Sequence, residues 1–165
     1  MKSTWSLPVR AALVVVLCSL PAVAIASGSG YQGWGPRVGF TSDPDQIVGG
    51  VHFDMGEIVS NLRWEPNFEV GFGDDVTSLS ANVLFAYYFP LKSNITPYAG
   101  GQLAAVYFDW DDGHGDHNDG GSDTEIGVDA VGGIETKVGG ARMLFELQIG
   151  FGDIHDAKFL VGWKF

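Results

Sequence analysis

The sequence predicts an all-β protein, an eight-stranded antiparallel up-and-down transmembrane β-barrel. Three observations lead to this fold class. The chain opens with a secretory targeting segment, its remainder contains eight runs in which apolar residues recur at every second position, and aromatic residues stand near both ends of those runs. The chain after the targeting segment has no stretch of 18 or more apolar residues, so any membrane crossing has to use strands.

The N-terminal segment has the pattern of a signal peptide. Lys2 and Arg10 supply its positive charge, and an apolar stretch of ten residues follows Arg10. That stretch is too short for a membrane-spanning helix, which needs about 20 residues. Small residues in A-x-A spacing come next, and we expect cleavage after Ala26. The predicted organisation is a signal peptide over residues 1–26 and one outer-membrane barrel domain over residues 27–165.

Composition excludes several classes of function. The chain has 9 basic and 20 acidic residues and a net charge of −11, and it becomes more acidic when Lys2 and Arg10 leave with the signal. A nucleic-acid partner needs a basic face, so we expect none. The single cysteine, Cys18, lies in the signal peptide. The mature chain therefore has no disulfide, thiolate metal site or cysteine nucleophile.

The eight runs carry the period of two that is typical of strands. Their first apolar members are Trp34, Ile47, Leu62, Leu79, Leu103, Ile126, Met143 and Phe159. Short turns rich in glycine, aspartate and asparagine separate most runs, and a long polar connection, Asp109 to Asp123, separates the fifth from the sixth. Pro66 interrupts the third run, and because proline cannot donate a ladder hydrogen bond we expect a bulge or a strand start there.

The alternate positions of these runs distinguish a membrane barrel from a soluble sandwich. They hold glycines and charged residues of both signs, which can pair inside a lumen that is just wide enough for side chains. We expect an ion-paired plug there, made by Arg37, Arg63, Glu65, Glu69, Asp129, Glu135, Arg142 and Glu146. His52 falls on the same face, where we expect it to be hydrogen-bonded rather than catalytic.

Connection parity places the odd-numbered turns and the long polar connection at the outer end of the barrel. Most aspartates of the chain lie there, in turns without lysine or arginine. Aspartate and glycine are turn formers, and a solvated mobile loop is the simpler interpretation. The alternative hypothesis is a divalent cation site, for Ca²⁺ or Zn²⁺, in the outer loops. Its candidate ligands are Asp109, Asp111, Asp112, His114, Asp116, His117 and Asp119.

Three segments of the mature chain carry a family resemblance. They are Thr96-Pro97-Tyr98-x-Gly100-Gly101, the glycine-rich run from Glu125 to Glu135, and the C-terminus. With these, the chain resembles the small outer-membrane β-barrels of the OmpA/OmpX type. Lys158, Trp163 and Phe165 match the C-terminal signal read by the barrel-assembly machinery, although Leu160 stands where glycine is usual. The resemblance implies a bacterial outer-membrane location, with outer-membrane lipid, lipopolysaccharide and the assembly machinery as partners.

The fold does not specify the function, because this barrel hosts many roles. The leading hypothesis is a non-enzymatic envelope protein with a structural role or a role in contacting ions or lipopolysaccharide. The first alternative is a narrow, porin-like pore or a carrier of small apolar molecules. The second is a lipid A hydrolase, which the resemblance would build on a His/Ser pair near the outer end. His155 lies there without a serine nearby in sequence, so we expect a solvated turn histidine and no enzyme.

Overall fold

The computed structural model describes residues 30–110 and 121–165, and its strands form one closed antiparallel sheet. The segments are β1 (Gly33–Ser42), β2 (Gln46–Asp54), β3 (Glu57–Val59), β4 (Leu62–Phe72), β5 (Val76–Tyr88), β6 (Ile95–Trp110), β7 (Gly121–Val138), β8 (Ala141–Phe151) and β9 (Ala157–Lys164). β2 and β3 both pair with β4 and together make one barrel strand, while β1 pairs with β9 to close the ring. The predicted eight-stranded antiparallel barrel is confirmed. The predicted signal peptide and the loop residues 111–120 lie outside the described residues.

The two ends of the barrel differ in what they carry. We call the end with the first and last strand residues the base; there Phe165 N donates to Trp34 O at 2.9 Å. The turns at 60–61, 89–94 and 139–140 lie at the base, and those at 43–45, 73–75 and 152–156 lie at the opposite end, the rim. The long rim connection is shorter than the predicted stretch from Asp109 to Asp123, because β6 and β7 stay paired up to Trp110 and Gly121.

Side-chain burial along each strand alternates with the apolar side turned outward. The large apolar residues are the exposed ones, with Ile47, Phe72 and Phe40 between 60% and 69% exposed, whereas the alternate polar residues are buried in the lumen. This is the reverse of a soluble domain and matches a barrel that faces lipid. Within the ranges that the structure describes, no helix is long and apolar enough to cross a membrane.

Lumen-facing glycines set the width of the interior. A Cβ at Gly35 would collide with the carbonyl oxygen of Trp163, and one at Gly133 would collide with the ring of Tyr98. These positions allow neighbouring backbone and an aromatic ring to lie where a side chain would otherwise project. The interior is therefore narrow and filled by the side chains of the remaining inward positions.

The irregularity expected at Pro66 lies in its partner strand instead. Pro66 is in the middle of β4 and in register with Val83 of β5, without a bulge of its own. Trp64 N donates to Gly56 O. Ladder donors recur at every second residue of a strand, so an N–H at position 66 would point toward the same neighbouring strand, the one made by β2 and β3. On that side β2 and β3 are interrupted around Met55. The proline thus stands where its partner strand offers no regular ladder.

Candidate functional site

The middle of the lumen is occupied by a buried cluster of four charges, which we call the central cluster. Arg37 of β1 donates to Glu146 of β8 and lies 3.1 Å from Glu69 of β4. Lys158 of β9 donates to the same Glu69 at 2.7 Å. These side chains are at most 6% exposed, so each charge depends on its partner rather than on solvent.

A second cluster, the base cluster, lies nearer the chain termini. Lys164 Nζ, fully buried, lies 2.8 Å from Asp54 Oδ2, 2.7 Å from Glu135 Oε2 and 3.9 Å from Glu65 Oε1. Two arginines complete it. Arg63 Nη1 lies 3.1 Å from the Asp54 carboxylate, and Arg142 Nη1 lies 3.2 Å from the Glu135 carboxylate. The ammonium group of Lys164 therefore bridges carboxylates from three different strands.

Two tyrosines connect the clusters. The rings of Tyr88 and Tyr98 stack at 4.9 Å between centroids. Tyr88 donates its hydroxyl hydrogen to Glu65 at 2.5 Å in the base cluster, and Tyr98 donates to Glu146 at 2.8 Å in the central cluster. Because both hydroxyls donate to carboxylates, the pair adds charge-assisted hydrogen bonds to its apolar contact.

Neutral polar groups fill the remaining cross-section beside the central cluster. Gln102 donates to Asp129 at 2.8 Å and to Gln148 at 3.2 Å, and it accepts from Asn67 at 3.0 Å. Gln148 in turn donates to Glu146 at 2.7 Å. A hydrogen-bonded layer therefore crosses the lumen from β4 to β8 and joins the central cluster.

All eight residues predicted to form the lumen plug point inward, and seven of them take part in ion pairs within the two clusters. Asp129 instead accepts a hydrogen bond from Gln102, and its other carboxylate oxygen lies 3.1 Å from His155 Nε2. Sequence reasoning missed three contributors, Asp54, Lys158 and Lys164. All three carry the right alternation, and Asp54, two residues after His52, is the last residue of β2.

His155 is not the solvated turn histidine that the sequence indicated. Its side chain is only 4% exposed and faces the lumen, because the turn at 152–156 folds inward with Ile154. Ser78 and Ser80 line the same cavity, a space of about 20 Å³. That space suits a single water molecule rather than a lipid chain. The three polar groups are thus enclosed in the lumen, away from the lipid-facing surface.

His52 also differs from its expectation. It lies in the lumen as predicted and is 1% exposed, but neither ring nitrogen has a hydrogen-bond partner among the described residues. The sequence placed His52 on the correct face. The sequence could not show that the carboxylates near His52 already form ion pairs with Lys164 and Arg37.

The lumen is sealed below the rim by apolar side chains. Ile154, Phe108 and Val76 form a buried cluster with two further β6 residues. Ile154 packs over Gly127, where a Cβ would lie 2.7 Å from the isoleucine side chain. Above this seal is an open basin of about 350 Å³ lined in part by Asp43, Asp153 and Asp156.

Most of the predicted cation ligands lie outside the described residues. Asp111, Asp112, His114, Asp116, His117 and Asp119 lie outside the described residues, and Asp109 is an exposed residue of β6 opposite Ser122. Among residues 30–110 and 121–165, no three His, Cys, Asp or Glu side chains are grouped closely enough to hold a metal ion.

The residues of the predicted assembly signal lie on different sides of the final strand. Lys158 points inward to Glu69, as described above. Trp163 is half-buried and Phe165 is 64% exposed at the base. The lysine therefore has a structural partner in the folded barrel, and the two aromatics belong to the outer surface near the base.

Comparisons with known proteins agree with this architecture. No protein-family model matches the chain, and no curated protein matches it in sequence. Solved structures that it resembles include Neisserial surface protein A, NspA, with a TM-score of 0.61, 14% identity, and coverage of 82% of this chain and 97% of that one. The N-terminal β-barrel domain of Pseudomonas aeruginosa OprF has a TM-score of 0.54, 13% identity, and coverage of 82% and 99%. The outer membrane enzyme PagL has a TM-score of 0.47, 19% identity, and coverage of 81% and 98%. The chain has the fold of small eight-stranded outer-membrane barrels.

Proposed function

We propose that the protein is a non-enzymatic, non-conducting component of the bacterial outer membrane whose acidic rim contacts lipopolysaccharide through divalent cations. The observation that carries this proposal is the filled lumen. The central and base clusters, the tyrosine pair and the apolar seal under the rim occupy the interior in succession. This filling supports a closed lumen, because the interior of an eight-stranded barrel is just wide enough for side chains to fill it.

Several features support a location in the outer membrane. The outward surface is apolar along the strands, and exposed aromatics stand near both ends, including Trp34 and Phe165 at the base and Phe40 and Phe72 at the rim. The structural neighbours above are themselves outer-membrane proteins or domains of such proteins. The signal peptide predicted from residues 1–26 would deliver the chain there.

The rim supports the ionic part of the proposal. Its turns at 43–45, 73–75 and 152–156 contain six aspartates and neither lysine nor arginine. Lipopolysaccharide is also anionic, so a carboxylate rim can approach it only with cations between the two. Calcium and magnesium bind carboxylate and phosphate oxygens and suit that position.

Conductance across a planar bilayer tests the closed lumen. We expect the refolded wild-type barrel to give no stable open level. The double substitution Arg37→Ala and Glu146→Ala removes two partners together and should introduce conductance, provided that unboiled samples still migrate as folded barrels on gels. Stable, sizeable conductance by the wild type would overturn the proposal and favour the pore alternative.

Thermal unfolding in vesicles tests the rim. We expect Ca²⁺ to raise the melting temperature in lipopolysaccharide vesicles more than in phosphatidylcholine vesicles. The triple substitution Asp43→Asn, Asp153→Asn and Asp156→Asn should remove that difference, whereas Lys92→Gln at the base should leave it unchanged. An equal Ca²⁺ effect on the wild type and the triple variant would contradict a role for the rim carboxylates.

Mass spectrometry of lipid A tests the non-enzymatic assignment. Cells with and without the protein should yield lipid A of the same mass. Loss of an acyl chain that depends on the protein would contradict the assignment and favour the hydrolase alternative.

A further inference from the structure

The lumen opens at the base into a vestibule of about 210 Å³ whose charged lining is mainly cationic. Arg63 of β4, Lys137 of β7 and Arg142 of β8 line it, with Glu135 as the acidic residue. Hydroxyl and amide groups, including Thr96, complete the lining. This composition contrasts with the aspartate-rich rim.

The strand register places like charges side by side in this vestibule. Lys137 lies directly opposite Arg142, and Arg142 lies directly opposite Lys164 on the next strand. Three cations therefore form a row across β7, β8 and β9. Like charges directly opposite each other in a sheet destabilise it unless an opposite charge lies between them.

Carboxylates of residues 30–110 and 121–165 pair with only two of these three cations, Arg142 and Lys164. Glu135 places one oxygen 3.2 Å from Arg142 and the other 2.7 Å from Lys164. Arg142 directs another nitrogen to the carbonyl of Gln32 at 3.2 Å. Lys137 is exposed and has no ion pair with any residue in the described part of the chain. At the vestibule end of the row, Lys137 is therefore a cation without a carboxylate partner in the described part of the chain.

We propose that this vestibule binds a small oxyanion, a carboxylate or a phosphate group, that enters from the base side and is held between Lys137 and Arg142. Lysine supplies a mobile point charge and arginine a planar donor group, a combination suited to oxygen anions. Thr96 and the neighbouring polar side chains are placed to donate further hydrogen bonds. The site is independent of the proposed function, because it lies at the opposite end from the aspartate rim.

Titration calorimetry on the refolded barrel in a phosphate-free buffer tests this proposal. Inorganic phosphate and succinate serve as separate probes at matched ionic strength, so that the tighter one identifies the preferred anion. We expect saturable binding of at least one. Lys137→Gln should weaken it by about tenfold or more, the effect of losing one charge-assisted hydrogen bond, while Lys137→Arg should retain it.

Controls separate a binding role from a structural one. Lys92→Gln changes an exposed lysine in the base turn at 89–94 that does not line the vestibule, and it should bind like the wild type. Lys137→Gln without anion should melt at or above the wild-type temperature, because the substitution relieves a like-charge contact. No saturable binding by the wild type, or equal weakening by the two glutamine variants, would overturn the proposal.

Discussion

The central cluster makes a quantitative prediction through Arg37. We consider Arg37→Met, which preserves the length and most of the volume of the side chain but removes its charge. In the folded barrel this leaves Glu69 and Glu146 buried without the guanidinium that lies between them. Breaking one partner out of a buried ion pair typically costs about 3–5 kcal/mol of folding free energy.

The remaining contacts of the two glutamates set the expected value within that range. Glu69 keeps Lys158 at 2.7 Å, and Glu146 keeps the hydroxyl of Tyr98 at 2.8 Å. Neither carboxylate is left without a donor, so we expect the lower limit, a loss of about 3 kcal/mol. This corresponds to a change of about a hundredfold in the unfolding equilibrium constant.

Reversible urea unfolding in lipid vesicles, followed by tryptophan fluorescence, measures this loss. Arg142→Met is the matched control, because it makes the same chemical change in the same lumen. Arg142 is 26% exposed, and its partner Glu135 keeps Lys164, so the control should cost less than about 1 kcal/mol. Equal losses for the two variants, or an Arg37→Met barrel as stable as the wild type, would refute the reasoning.

Other substitutions test further parts of the interior by the same unfolding measurement. Tyr98→Phe removes the hydroxyl that donates to Glu146 and should cost about 1.5–3 kcal/mol, the range for a hydrogen bond to a charged group; an unchanged midpoint would show that the bond contributes nothing. Gly133→Ala drives a Cβ into the Tyr98 ring and should cost about 1–3 kcal/mol, whereas Gly132→Ala, which meets nothing within 4 Å, should be neutral; the reverse order would contradict the described register. Ile154→Ala opens the seal under the rim and should cost about 2–5 kcal/mol, and a neutral result would mean that the seal is not packed.

Much of the fold could be predicted because each strand must satisfy two different surroundings. Lipid outside and a narrow polar lumen inside impose a strict alternation, and that alternation is visible in the sequence around Trp64, Val128 and Phe145. It also placed Arg37 and Glu146 on the same face. Since only opposite charges can share so narrow a lumen, the existence of ion pairs followed from the pattern.

The partners themselves could not be predicted, because they depend on barrel closure and stagger. Arg37 and Glu146 are 109 positions apart in the sequence, and Asp54 and Lys164 are 110 positions apart. Asp54 continues the alternation of β2 two residues after His52, but the alternation does not show that Lys164 is its partner. His155 was misplaced for a related reason, since residues 152–156 look like a solvated turn in sequence but fold inward in the barrel.

The ion pairs between distant strands have a consequence for how the barrel is made. Arg37 on the first strand meets its carboxylates on β4 and β8, so these bonds exist only after the sheet has closed with the correct stagger. A shift of one residue in the pairing of β1 would turn its guanidinium toward lipid and its apolar residues inward. An open or slipped sheet would therefore expose unpaired charges to hydrocarbon, where they cost several kcal/mol each. The ion pairs of the lumen therefore stabilise one closed register during assembly, and the neighbouring registers lack that stabilisation.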